Sequence, residues 1–330
     1  MDKFTEIFVI LATVSQECMQ YLGEIISLLV AVLWTATALF ADQASRRIGA
    51  MSTNFFRMVF SSILLAALLW VVIGHPYPAF ADGKTWLWMG LSSLVGYVFG
   101  DFCLFNSYVV IGARFGQLFM TLAPPFAALA GWALLGETLS WRSALAMAVT
   151  LTGIAISILS RSRDGHKLSL RLPFKGVLLG IGAGLGQGVG LVLSKIGLQH
   201  YAAALPADAP AAFDWAMPFA ATMIRSLTGM AGFFVWMGIL GQLPQLRAAL
   251  QNRSGMKFTA LTTLFGPFIG VSLSLMAVQY ARAGIASTLM ALTPVLIILP
   301  YALIYKQKVT PKEILGVTVS MIGVALFFLL

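Results

Sequence analysis

Charge is scarce in this chain. Only 10% of its 330 residues are Asp, Glu, Lys or Arg, against about 25% in soluble domains. With 59% hydrophobic residues and a mean hydropathy of +0.89, a soluble globular protein is excluded. Cysteine is scarcer still. Cys18 and Cys103 are the only two, and with Cys103 inside an apolar stretch they argue against a disulfide framework or a thiolate metal site. The three histidines, His75, His166 and His200, fall in expected connections and lack metal-ligand spacing. No Gly-Lys-Ser/Thr phosphate loop occurs, which argues against ATP as a direct driver, and no nucleophile is grouped with an acid and a base as an enzyme would need. Neither a cofactor nor a metal is implied. The net charge of +9 would suggest nucleic acid only if the basic residues shared a soluble face. Instead they punctuate apolar runs, where they act as topology signals.

Long apolar runs are what the chain does have. Stretches such as Ile63 to Ile73 and Leu289 to Ile304 lack the alternation of a membrane strand, so the class is an all-α integral membrane protein. At about 20 apolar residues per crossing plus a connection, the length predicts about ten helices. Their expected bounds are 22–41, 53–74, 86–110, 114–136, 142–160, 175–196, 216–240, 257–281, 284–305 and 311–330. Residues 1–21 form an N-terminal extension, either an artefact of the assigned start or a surface segment, with Met19 an alternative start just before the first span.

The chain also repeats itself. Gly96, Gly100, Ala113, Met120, Leu122, Pro124, Leu145, Val149, Gly153 and Ala155 recur without a gap at an offset of 170, as Gly266, Gly270, Ala283, Met290, Leu292, Pro294, Leu315, Val319, Gly323 and Ala325. Earlier parts match at other spacings: Gly23 and Trp34 with Gly176 and Gln187, and Arg57 with Arg225. The charged stretch 161–174 then reads as a linker between two five-helix units, 22–160 and 175–330. An odd number of spans per unit makes the copies inverted in the bilayer, with the substrate site between them. Basic residues concentrate after odd-numbered spans, as at Arg46, Arg47, Arg161, Arg163, Arg247 and Arg253. By the positive-inside rule this puts those connections in the cytoplasm and both termini outside.

The aliphatic run around Pro124, closed by Gly136-Glu137-Thr138-Leu139-Ser140 and followed by a helix containing Gly153, resembles the EamA-type fold of the drug/metabolite transporter superfamily. The likeness runs from about residue 22 to the end. It departs at Lys306-Gln307-Lys308, where the family often shows Gly-Glu, and at Asp42, where a basic residue commonly closes the first helix. It implies ten helices, a cavity among the first, third, fourth, sixth, eighth and ninth, and termini in the cytoplasm, contrary to the charge count.

Asp101 is the foremost candidate, because a carboxylate in mid-span costs several kcal/mol, about 2.5 to 3.5 on insertion scales, unless paired, hydrated or protonated. It is either a coupling acid or a structural partner for Arg57, Arg225 or Lys195, and the second unit carries Val271 in its place. Arg57 and Arg225 either snorkel to headgroups or contact an anionic group. Lys195 reads as an interfacial anchor, and Glu137 as a turn cap or a partner of Arg142. Polar side chains facing the interior nominate Trp34, Tyr97, Asn106, Gln117, Thr121, Gln187, Ser272, Gln279 and Thr288 as cavity lining, and Pro124 and Pro294 as hinges. The reading is a secondary transporter, taken as an exporter, of small metabolites or amphiphilic compounds. It would work by alternating access in a cell membrane, taken as a bacterial inner membrane, with proton or ion coupling, as a monomer or homodimer. A channel or a non-transporting scaffold is the alternative.

Overall fold

The protein is described by a computed structural model covering residues 21–160, 173–207, 213–296 and 311–329. Among these residues every regular element is helical: α1 Leu22–Ile48, α2 Ala50–Ile73, α3 Gly83–Ser93 continuing through a π-helical segment Leu94–Asp101 into α4 Phe102–Met120, α5 Ala123–Leu135, α6 Trp141–Ser160, α7 Phe174–Ala204, α8 Phe213–Ile239 and the short α9 Pro244–Gln251. Then come α10 Arg253–Thr263, a second π-helical segment Leu264–Phe268, α11 Ile269–Tyr280, α12 Ala283–Met290, α13 Thr293–Leu296 and α14 Pro311–Leu329. Among the described residues six helical stretches are long and apolar enough to cross a bilayer: Leu22–Ile48, Ala50–Ile73, Gly83–Ser107, Phe174–Ala204, Phe213–Ile239 and Arg253–Tyr280. Shorter apolar helices at Ala123–Leu135, Trp141–Ile156 and Ile314–Leu326 accompany them. The expected ten spans are thus met in part, since residues 297–305 of the ninth lie outside the described chain.

Several expected boundaries move. The break placed at 110–114 is absent: α4 runs unbroken to Met120, and the turn comes at Thr121–Leu122. Pro124 and Pro125, in the first turn of α5, have no N–H to continue the ladder of α4. The same break occurs 170 residues later, at Ala291–Leu292 before Thr293-Pro294. Helix α7 extends past the expected 196 to Ala204, because nothing from Gly197 to Ala204 breaks it; it stops ahead of Pro206. One face of its last turns is buried at Leu198 and Tyr201, and the Tyr201 hydroxyl donates to the carbonyl of Ala79 at 2.6 Å.

In α2 one face, running through Asn54, Arg57, Met58, Ser61, Leu65 and Leu69, is buried against the rest of the protein, while Val71 on the other is 85% exposed. That is the 3.6-residue pattern with its usual sense altered: the apolar outer side faces lipid and the inner side carries the polar groups. Most buried Ser and Thr hydroxyls bond the carbonyl one turn back, as in Thr222 to Pro218, Thr259 to Gly255 and Thr288 to Gly284. This satisfies them without any partner across the bundle.

The contacts between the two repeats are reciprocal. Helix α6 crosses α14 with Gly153 against Ser320 and Gly323 against Thr150, each so close that a Cβ would collide with the facing backbone. Gly23 abuts Ala281, and its counterpart Gly176 abuts Ile111. Pairings α1 with α11 and α4 with α7, α1 with α12 and α5 with α7, and α2 with α8 complete the exchange. Contacts of this kind need small residues to let helix backbones approach.

Candidate functional site

The reciprocal contacts converge on the two π-helical segments, which begin at Leu94 and Leu264, 170 residues apart. Local widening of this kind is frequent at functional sites. Gly96 and Gly100 in the first, and Gly266 and Gly270 around the second, leave room for large polar side chains from the opposite repeat. A methyl group on Gly96 would lie 3.2 Å from Nη2 of Arg225, and one on Gly266 would lie 3.6 Å from Nη2 of Arg57. Likewise Gly100 accommodates Gln187, with Nε2 3.2 Å from such a methyl, and Gly270 accommodates Trp34, with Nε1 at 3.0 Å. The frame is twofold.

Its chemistry is one-sided. Asp101, at the end of the first π segment, is 7% exposed. Its Oδ1 accepts from Gln187 Nε2 at 2.9 Å, and its Oδ2 lies 3.7 Å from Arg57 Nη1. Gln187 also donates to the carbonyl of Gly96 at 3.0 Å, a carbonyl within the widened turn. Arg57 is 7% exposed, donates to Asn54 Oδ1 at 2.6 Å and lies 5.9 Å from the centre of the Phe105 ring. Arg225, 4% exposed, stands over the Tyr97 ring at 4.4 Å. Its carbonyl accepts from the Ser93 hydroxyl at 2.6 Å, which ties α8 to α3. Two guanidiniums and one carboxylate from both repeats therefore share one buried region. Burying charge is tolerated when it is paired and hydrogen-bonded; here the ion pair lies within the first repeat and the hydrogen bond from Gln187 crosses the repeat boundary.

A second polar cluster closes one end of the same interface. Gly136, at φ +67°, ends α5 in the left-handed conformation that glycine adopts without strain. The turn folds Glu137 back over Gly131, where a Cβ would sit 3.0 Å from Oε2. Glu137 then pairs with Lys195 at 2.6 Å and accepts from the amide of Ala283 at 3.0 Å. Lys195 donates to the carbonyl of Ala281 at 2.7 Å. The anion thus meets the N-terminus of α12 and the cation the C-terminus of α11, the favourable sense for both helix dipoles. Arg282 adds a bond to the carbonyl of Thr138 at 2.5 Å. One loop of the first repeat is fastened to the α11–α12 connection and to α7 of the second.

Of the residues nominated from sequence, Asp101, Arg57, Arg225, Tyr97 and Gln187 come together, and Trp34 occupies the repeat-related place beside Gly270. Asn106 donates to Phe102 O at 2.8 Å and Ser272 to Phe268 O at 2.7 Å, each within its own helix, as does Thr288. Thr121 lies at the helix break, and the side chain of Gln117 lies outside the described residues. Gln279 lines a small depression beside Lys195, away from Asp101. Glu137 pairs with Lys195 at 2.6 Å, and Arg142 lies over the Trp141 ring at 5.9 Å. Lys195 is thus an inter-repeat clasp, not an interfacial anchor. Sequence reading missed Asn54, although its place three residues before Arg57 on one helix face was a usable signal.

A multi-pass α-helical bundle with a buried polar centre where two repeats meet defines a membrane transporter. The chain belongs to the EamA-like transporter family, which matches residues 21–159 and again 174–329; with it, the chain is a member of the drug/metabolite transporter superfamily. A solved structure, described only as a crystal structure of a protein, is similar with a TM-score of 0.65 at 15% identity, covering 93% of this chain and 96% of that one. It shares the fold. No curated protein matches the sequence.

Proposed function

We propose that this transporter is a secondary carrier that moves small metabolites or amphiphilic molecules by alternating access between two inversely inserted halves, 22–160 and 175–330. The supporting observation is the carboxylate of Asp101 held between Gln187 and Arg57 at the contact between repeats. A group so placed feels any rocking of one half against the other. Protonation would remove its charge and weaken its hold on both partners, so a proton gradient can bias the equilibrium between the two states. The Glu137–Lys195 clasp closes one end of the path, and the helix breaks before Pro124 and Pro294 let the ends of α5 and α13 tilt. The rings of Phe105 and Tyr97 beside the two guanidiniums suit an amphiphilic metabolite better than a highly charged ion.

Flux in proteoliposomes tests this reading, with a metabolite and drug panel run in both directions. Wild type should concentrate a substrate when a proton gradient is imposed, and Asp101→Asn should equilibrate it without concentrating it. Concentrative uptake that persists in a folded Asp101→Asn protein would return Asp101 to a structural role. Flux that no gradient can drive uphill would favour a channel.

A further inference from the structure

We infer that Arg57 and Arg225 form a binding site for the carboxylate of a monoanionic organic substrate, with Asn54 and Tyr97 as additional donors. This deepens the carrier reading above and rests on it. Four buried polar atoms in this region have no hydrogen-bond partner among the described residues: Nε of Arg57, Nε of Arg225, Nδ2 of Asn54 and the hydroxyl of Tyr97. All four can donate, and all belong to residues at most 7% exposed. A cluster of buried donors without acceptors is costly, and it is the complement of an oxyanion.

The charge count agrees. Two guanidiniums face one carboxylate, and Asp101 lies at ion-pair distance from Arg57 only, at 3.7 Å without a hydrogen bond. Among the described residues Arg225 has no carboxylate within 4 Å; it rests on the Tyr97 ring. One positive charge is left over, which a carboxylate neutralises and a dianion such as sulfate overshoots. Guanidinium is the side chain best shaped to hold a planar carboxylate by two parallel bonds. The two arginines are repeat-related and each reaches over a glycine of the other repeat, so an anion between them would touch both halves. Phe105, Tyr97 and Trp34 supply apolar surface for the remainder of such a molecule.

The test is carried out on the purified full-length chain in detergent, following thermal unfolding by tryptophan fluorescence. Acetate and benzoate are titrated against chloride and sulfate at matched ionic strength, with benzamide as the uncharged analogue. Acetate or benzoate should raise the midpoint saturably and above every control. Arg225→Gln should weaken that effect about tenfold or more, the loss expected for removing a charged hydrogen bond, and Arg225→Lys should weaken it less. Tyr97→Phe, which keeps the ring beneath Arg225, serves where the arginine variants do not fold and should weaken the effect by a smaller factor. The absence of any carboxylate-specific shift in wild type overturns the proposal, as does an unchanged shift in Arg225→Gln or a sulfate effect exceeding both carboxylates. Carboxylate binding without flux in proteoliposomes would unseat the carrier reading and leave this site standing. Flux without carboxylate binding would do the reverse.

Discussion

The two repeats agree in scaffold and differ in chemistry. Each opens its third helix with a side-chain cap at the same register, Asp82 accepting from the Thr85 amide at 2.8 Å and Asn252 from the Gly255 amide at 2.9 Å. Each then widens into a π-helical segment, breaks before a proline and closes with a glycine crossing. The acids do not follow. Asp101 stands where the second repeat has Val271, Gln187 where the first has Trp34, and Glu137 where the second has Gln307. The scaffold and a buried arginine are common to both copies while these acids stand in one, which teaches that the bilayer fold depends on small residues and breaks while the acid needs only one site.

Breaking the clasp should have the largest effect. Lys195→Met strands Glu137 in a mostly buried place, and removing one partner of such a pair costs about 3 kcal/mol; the midpoint of thermal unfolding in detergent should fall accordingly. Trypsin should then cut faster at Arg282, which stands beside the loosened loop.

Imposing the first repeat's chemistry on the second comes next. Val271 is 8% exposed in the main apolar cluster, so Val271→Asp puts a carboxylate there at a cost of about 2.5 to 3.5 kcal/mol. In an Asp101→Val background it should not restore concentrative uptake, because Trp34 cannot replace both bonds of Gln187. Restoration would show the halves to be chemically interchangeable.

The scaffold comparison is sharpened by Gly153→Val and Gly323→Val. Both force a Cβ into facing backbone, and overpacking costs about 1 to 3 kcal/mol. The two midpoints should drop by nearly equal amounts, whereas a marked inequality would break the twofold description.

The smallest effect concerns the caps. The Thr85 hydroxyl and amide, both bonded to Asp82, hold its carboxyl below the usual 3.8. A folded value lower than the unfolded one contributes stability that is present above 3.8 and is lost as pH falls through the lowered value. Asn252 does not titrate. Amide exchange at Thr85 should therefore accelerate in that acid window while that at Gly255 shows no corresponding change.

The repeat, the family and the burial of a carboxylate at Asp101 could be read in the sequence because each leaves a local mark: a fixed offset, a glycine–glutamate turn, an acid within an apolar run. The pairing of Asp101 with Arg57 was among the partners its burial required. The clasp was not legible. Lys195 looked terminal only because Gln199-His200-Tyr201 reads as polar, whereas Tyr201 is buried and the helix continues beneath it. Glu137 had Arg142 nearby in sequence, and nothing local pointed to Lys195, which meets it where Gly136 ends the helix. Asn106, Ser272 and Thr288 bond to their own helices, so their polarity is satisfied there and does not by itself require a cavity.

The crossing of α6 and α14 has a consequence beyond packing. Exchanging the halves turns Gly153 against Ser320 into Gly323 against Thr150, so the contact is carried onto itself and must straddle the rotation axis that relates the two. If the outward- and inward-open forms exchange the roles of the same two units, contacts between unlike helices have to change partners. This crossing, like that of α2 with α8, is carried onto itself, and is a place a tether could be fastened without stopping the cycle.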